Sequence, residues 1–418
     1  MITRKYNEAS FIFDNQRRDA IFFEGSIAPY AIDYINQGMK LDTNKILHKF
    51  SKEYHTDILN DWNDITKCIQ NFILKKNIYT KNSLEREHGN ALKDLQTYAK
   101  NNWQLITTTI ETTYQCNLRC KFCYLENYDS KGLNFNTLKR LAIDLRKEGV
   151  IFILLTGGEF FLREDYLEIL QLFHDENFII ELKTNATLLN EDIILKLQKF
   201  NIFDIQVSIY EPYHENQKVI NNIRRLKETG IPISLSILVG KHNINQLNII
   251  HEKLNQIFHD SIEIQYTPYL TPNRSSENKQ IQEFRLSLTQ LKNILYPFLK
   301  SIGKYKSFEK FRNLKKDGSI CYAGREQVVI SPEGEVYPCL DLNVTLGNIQ
   351  KQSFYNILSE RKKILSQFSP QKMKKCLICE YADYCDSCIG INLIENNDYS
   401  IPVQHRCDIA QFYQKGGD

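Results

Sequence analysis

The 418-residue chain has no run of about 18 or more apolar residues, the length that a membrane-spanning helix requires. It also lacks an excess of one charge. Its 53 Lys and Arg against 50 Asp and Glu leave a net +3, too little to imply a nucleic-acid partner. Fixed-period repeats and low-complexity tracts are missing, which excludes solenoids and fibrous arrays. The start, Met1 to Lys5, leads into a charged alternating stretch and not the apolar core of a signal peptide. The expectation is a cytoplasmic protein with neither a membrane nor a nucleic acid as partner. Cysteine is scarce: eleven residues, too few for a disulfide scaffold. What is present is ordinary for a globular protein, with 42% hydrophobic and 25% charged residues.

Length alone suggests two or three domains. Residues 1–80 read as a small α+β unit, with strands at Ser10–Phe13 and Ala20–Phe23 joined as a hairpin. Helical patterns follow at 27–37, 43–53 and 55–75, then a polar linker helix over 81–103. From Leu105 strands and helices alternate. Strands are expected near 105–112, 150–155, 178–183, 203–209, 233–239 and 262–266, with a helix after each. Val150 to Leu155 is apolar at every position, as a parallel strand buried on both faces would be. Six βα units over 104–310 imply an α/β fold, a partial (β/α)6 TIM barrel, whose chemistry belongs on the loops after the strand ends. Residues 311–418 are short-patterned, loop-rich and dense in cysteine.

The cysteines are sorted. Cys68 stands alone at helical spacing from apolar neighbours, as a packing residue would. Cys116, Cys120 and Cys123 lie directly after the first barrel strand. Cys321, Cys339, Cys376, Cys379, Cys385, Cys388 and Cys407 crowd the C-terminal part. In a reducing compartment such groups read as metal ligands. Three thiolates spaced like the first group can hold three irons of a cubane and leave the fourth iron without a protein ligand. Structural zinc would want a fourth ligand, and the next His is His174.

Cys116-Asn117-Leu118-Arg119-Cys120-Lys121-Phe122-Cys123 resembles the radical S-adenosylmethionine (SAM) signature, including the aromatic Phe122 before the third cysteine. The resemblance implies a [4Fe–4S] cluster whose remaining iron is chelated by SAM. It implies reductive cleavage of SAM to a 5′-deoxyadenosyl radical that takes a hydrogen atom from substrate. Gly157-Gly158-Glu159, at the end of the second strand, matches the family's Gly-Gly-Glu segment, which binds the SAM amino group. Thr184-Asn185-Ala186 resembles its Thr-Asn-Gly segment, with alanine in place of glycine. Asn185 and Ser208, at strand ends, are candidate SAM contacts, and strand-end capping is the rival reading of both. The segment Glu211 to Gln217 after the fourth strand is shorter than the family's usual one.

Twelve residues separate Cys321 from Gly334 and four separate Gly334 from Cys339. Then follow Cys376-x-x-Cys379, Cys385, Cys388 and Cys407. This order resembles the SPASM extension of radical SAM peptide-modifying enzymes, and so implies two auxiliary [4Fe–4S] clusters, three in all. Two zinc sites are the alternative reading of the CxxC pairs. By the resemblance, Cys376, Cys379, Cys385 and Cys407 ligate an outer cluster and Cys321, Cys339 and Cys388 an inner one. Residues 312–320, where some relatives carry an eighth cysteine, have none. Seven thiolates for eight irons leave one iron to a substrate group or to another side chain.

Residues 1–80 resemble the winged-helix peptide-recognition domain, similar to the pyrroloquinoline-quinone chaperone, that captures a leader peptide by strand addition. The expected function is modification of a ribosomally made precursor peptide, with thioether formation ahead of carbon–carbon or ether crosslinking. A one-electron reductant such as flavodoxin or ferredoxin is an expected partner. Maturation of a sulfatase-type protein is the next reading, and a zinc-binding protein without catalysis is a different class.

Overall fold

The computed structural model describes residues 1–14, 18–39, 58–73, 91–125, 127–209, 217–259, 261–271, 281–304, 321–385 and 388–415. Two compact units result: Met1–Ile106 with Arg146–Ile151, and Thr107–Leu145 with Phe152–Asp418.

The first unit contains an antiparallel sheet of β1 (Ile2–Lys5), β2 (Ala9–Asp14) and β3 (Asp19–Glu24), in that spatial order. β2 and β3 form the expected hairpin, pairing Phe11 with Phe22. β1 falls on a stretch where sequence patterning signals no strand. Helices Tyr30–Asn36 and Ile58–Ile73 close the core with Ile12, Ile21, Trp62, Ile69 and Phe72. Cys68 packs against it. The 43–53 helix expected from the sequence lies outside the described residues, as does the first part of the linker helix, which is seen from Ala91 to Asn102. The connection Arg146–Ile151 belongs to this unit through buried polar ties. Arg4 Nε donates to the Val150 carbonyl at 2.7 Å, and Gln104 Nε2 to that of Glu148 at 2.7 Å.

In the second unit six parallel strands run in sequence order: β4 (Thr107–Glu111), β5 (Phe152–Thr156), β6 (Ile179–Thr184), β7 (Ile202–Ile209), β8 (Ile233–Leu238) and β9 (Glu263–Thr267). One face of these strands is covered by helices with apolar stripes, such as Val219, Ile220, Ile223 and Leu226 on helix Gln217–Glu228, while alternate positions turn to the other side and are only half-buried. The sheet continues past β4 into the cysteine-rich part. β10 (Gln327–Ile330) pairs parallel with β4, matching Val329 to Thr109, and β11 (Glu335–Tyr337) and β12 (Gly347–Asn348) follow antiparallel. The α/β fold is therefore a single nine-stranded open sheet, with the cysteine-rich part joined edge to edge onto the barrel. Because β11 runs antiparallel to β10 and β4, the loop after it, which carries Cys339, lies toward the N-terminal end of β4, while the β10–β11 turn lies at the end that bears the first cysteine loop. No helix among the described residues is long and apolar enough to cross a membrane.

Candidate active site

The loops at the C-terminal ends of β4–β9 surround a cavity of about 270 Å³. Cys116, Cys120, Phe122 and Cys123 line one side, and Gly157, Gly158, Asn185 and Ser208 line the strand ends. All the sequence-nominated residues of the first motif group meet there except Glu159, which is fully buried behind the lining.

The cysteine loop is held by the loop after β5. Gly158 N donates to the Thr113 carbonyl at 2.7 Å and Glu159 N to that of Gln115 at 2.8 Å. A Cβ on Gly157 would overlap the Thr113 carbonyl, and one on Gly158 the Gln115 carbonyl. The two glycines are thus required by the approach of one loop to another, whatever they contribute to a ligand. Gly157 also adopts φ +126°, a backbone conformation closed to most side chains.

Glu159 turns its carboxylate onto the end of β6. It accepts from Thr184 Oγ1 and Asn185 N, both at 2.8 Å, and from Phe161 N at 3.2 Å. Burial pushes its carboxyl above the ordinary range, and the three donors only partly offset this. The sign follows from linkage. An acid whose pKa is higher folded than unfolded costs stability as pH rises from its unfolded value, near 4.3, through its folded one. Glu159→Gln should remove that slope. Its amide nitrogen cannot accept, so it should also cost about 1–3 kcal/mol at the acid end. Unfolding midpoints of the two proteins against pH check both, and parallel curves would refute the assignment.

Asn185 is buried and bridges to the cysteine loop. Its Nδ2 donates to Asn117 Oδ1 at 3.0 Å and stands 4.0 Å from Cys116 Sγ, while its Oδ1 accepts from Thr187 N at 2.9 Å. Ala186 occupies φ +58°, where the family's glycine would sit without strain. Asn222 Nδ2 secures this turn by donating to the carbonyls of Ala186 and Leu189, both at 2.9 Å. Phe122 stacks on His242 with centroids 4.9 Å apart, and meets Phe284 edge-on. The residues after Ile209 that bear on the short segment lie outside the described ones.

Several residues of the site carry no motif. Arg163 clamps the return of the cysteine loop, its guanidinium donating to the carbonyls of Thr112, Lys131 and Leu133 at 2.7–3.0 Å. Tyr124 OH donates to Glu111 Oε1 at 3.0 Å. Lys183, Gln206 and Ser236 line the cavity floor from strands β6–β8. Their polarity at alternate strand positions was the available signal for an inward-facing wall. Tyr269 and Thr271 after β9, and Leu340 from the cysteine-rich part, complete the lining.

All eleven cysteines are thiols. Burial and neighbouring thiols push Cys120 up to about 12, and burial raises Cys116. Cys116, Cys120 and Cys123 line one side of a cavity with open space beyond them, which fits a multi-iron body that keeps one iron for another ligand. A second cavity is ringed by Cys376, Cys379, Cys385, Cys388 and Cys407, with Arg406 on its wall. Cys321 and Cys339 pack, together with Cys376 of that cavity, against Leu342, Met373 and Ile389. Cys388 borders both groups, because its thiol also faces Asp341. The Arg406 guanidinium lies 4.4 Å from the Tyr269 ring centre, so the second cavity and the first share a wall.

Comparison with known proteins agrees with this arrangement. Residues 110–254 match the radical SAM superfamily, and residues 321–388 match the SPASM iron–sulfur cluster-binding domain. The AdoMet-dependent heme synthase of Methanosarcina barkeri is 24% identical over 69% of this chain and 92% of that protein. The antilisterial bacteriocin subtilosin biosynthesis protein AlbA of Bacillus subtilis is 24% identical over 68% of this chain and 67% of its own. Among solved structures, Streptococcus suis SuiB bound to the precursor peptide SuiA superposes with a TM-score of 0.63 at 16% identity, over 97% of this chain and 98% of SuiB. At that identity the superposition speaks for the fold.

Proposed function

Because the chain carries a radical SAM domain and a SPASM domain and is an enzyme that uses SAM, we propose that it modifies a ribosomally synthesised precursor peptide. The observation that carries this reading is the shared cavity wall. The three thiols of the first motif, the Gly157-Gly158 turn and Leu340 of the cysteine-rich part all face one space. A substrate there meets the SAM site and the auxiliary region together. The likeness to AlbA supports a peptide, as does the fold shared with a precursor-binding protein over nearly the whole chain. A non-catalytic zinc protein is set aside by the radical SAM match.

In this proposal Cys116, Cys120 and Cys123 hold the first [4Fe–4S] cluster. Cys376, Cys379, Cys385 and Cys407 hold an outer auxiliary cluster, and Cys321, Cys339 and Cys388 an inner one. When reduced, the first cluster supplies the chemistry that splits SAM and removes a substrate hydrogen atom. The protein's own work is positional. Phe122, pinned by His242, and Asn185, pinned by Glu159, shape the SAM side of the cavity. Ser208 and the Gly157-Gly158 backbone add polar contacts. Residues 1–80 hold the leader at a sheet edge in a winged-helix manner, and a flavodoxin or ferredoxin delivers electrons in the cytoplasm.

Thioether formation is the preferred product, because seven thiolates for eight irons leave a position that a peptide thiol can occupy. Carbon–carbon or ether crosslinking is the alternative. The test is anaerobic incubation of the reduced enzyme with SAM and the peptide encoded beside its gene. Expected are 5′-deoxyadenosine and a peptide lighter by one hydrogen pair per crosslink, with the core cysteine no longer alkylatable. A lighter peptide whose cysteines all remain alkylatable would overturn the thioether. SAM cleavage without any change in the peptide would overturn the substrate.

A further inference from the structure

The inner auxiliary thiols have a carboxylate among them. Asp341 follows Cys339 by two residues, and the Cys388 thiol faces its Oδ2 at 4.0 Å. The backbone there is fixed on two sides. Leu342 N donates to Cys339 Sγ at 3.3 Å. Gly390 packs so closely on the Asp341 carbonyl that any Cβ would overlap it. Leu342, Met373 and Ile389 form a buried cluster against which Cys321 and Cys339 pack. Three separate chain segments thus bring Cys321, Cys339, Cys388 and Asp341 into one neighbourhood whose framework is apolar and rigid.

We propose that Asp341 is the eighth protein ligand of the auxiliary clusters, its carboxylate taking the iron of the inner cluster that the three thiolates leave. The inference rests on the reading of Cys321, Cys339 and Cys388 as one ligand set. A carboxylate is a hard donor and binds iron more weakly than a thiolate. It therefore completes the cluster in the peptide-free enzyme while leaving that position exchangeable for a soft donor. Leu340, the residue before Asp341, lines the main cavity, so the exchangeable position adjoins the substrate space.

The test uses the full chain in which Cys116, Cys120 and Cys123 are alanine, so that only auxiliary clusters contribute spectra. Asp341→Ala and Asp341→Cys are compared with this parent after anaerobic reconstitution, with 13C-cyanide as the probe and reduced-state magnetic resonance as the readout. D341A should show carbon coupling at low cyanide, the parent only at markedly higher cyanide because the carboxylate must first be displaced, and D341C should show none and have a lower reduction potential. Should D341A lose a cluster outright, D341C must restore it. Equal cyanide coupling in parent and D341A at low cyanide, or identical potentials in all three, would overturn the proposal. Failure of the underlying reading looks different: the parent itself would then hold about four irons in place of about eight.

Discussion

Replacing Cys116, Cys120 and Cys123 together by alanine should abolish SAM cleavage and leave the rest of the chain folded. The thiols sit on the loop after β4, and that loop is fixed by groups other than sulfur. Arg163 holds its return, Gly158 N and Glu159 N bond its start, and Asn185 reaches Asn117 within it. Without iron, burial favours the protonated thiol at Cys116 and Cys120, with Cys120 pushed up to about 12 by burial and by its two neighbours. Binding a cluster replaces those protons, so the energy that organises the sulfurs comes from iron and not from the apo packing. The triple variant should bind about four irons fewer than the parent and form no 5′-deoxyadenosine above background. Circular dichroism and the melting temperature of the metal-free protein should hardly change. Iron analysis and chromatography of quenched reactions decide the matter. Retained turnover would place the radical-generating centre elsewhere.

How much of this arrangement could be read beforehand depended on where its physics is local. The six barrel strands came out within two or three residues of their positions, because runs such as Val150 to Leu155 are apolar throughout and punctuated by turns. The grouping of the thiols was legible from spacing, and Cys116, Cys120 and Cys123 do meet at one cavity while five of the C-terminal seven ring another. β10 was not read as an extension of the barrel. Four residues, Gln327–Ile330, suffice for it, and its partner β4 lies more than two hundred residues away in the chain. Glu159 has a role that spacing does not announce: besides its place in the Gly-Gly-Glu segment, its carboxylate accepts from the end of the neighbouring strand. No pattern marks Arg163 either, because an arginine that caps three carbonyls looks like any other arginine until the loops are folded. Ala186 shows the converse. A departure from the glycine of the family is visible in sequence, and only the fold shows that alanine takes the left-handed backbone there, steadied by Asn222.

Arg285→Met should be the most destabilising single substitution away from the thiols. Arg285 and Glu395 form a two-pronged pair, Nη1 to Oε2 at 2.9 Å and Nη2 to Oε1 at 2.5 Å, with both side chains only 8% exposed. The same guanidinium donates from Nε and Nη2 to the Leu270 carbonyl at 3.0 and 2.9 Å. Leu270 stands between Tyr269 and Thr271, which line the main cavity, and Glu395 lies on helix Ile389–Asn396 directly after Cys388. One side chain therefore ties the wall of the main cavity to the helix that follows Cys388. Removing it leaves a buried carboxylate with only the 3.3 Å bond from Gln282 Nε2 and takes both side-chain donors from the Leu270 carbonyl, at a cost of about 3–5 kcal/mol. In a unit of this size that is a fall in melting temperature of roughly 5–10 °C. SAM affinity should fall with it, since the Tyr269–Thr271 wall loses its anchor. Adding Glu395→Leu removes the stranded charge, and the double variant should recover much of the stability but little of the SAM affinity, because Leu270 still lacks its donor. Calorimetry and SAM titration of both variants separate the two contributions. A single variant melting within a degree of the parent would mean that water takes over both partners and that the pair is not the brace described.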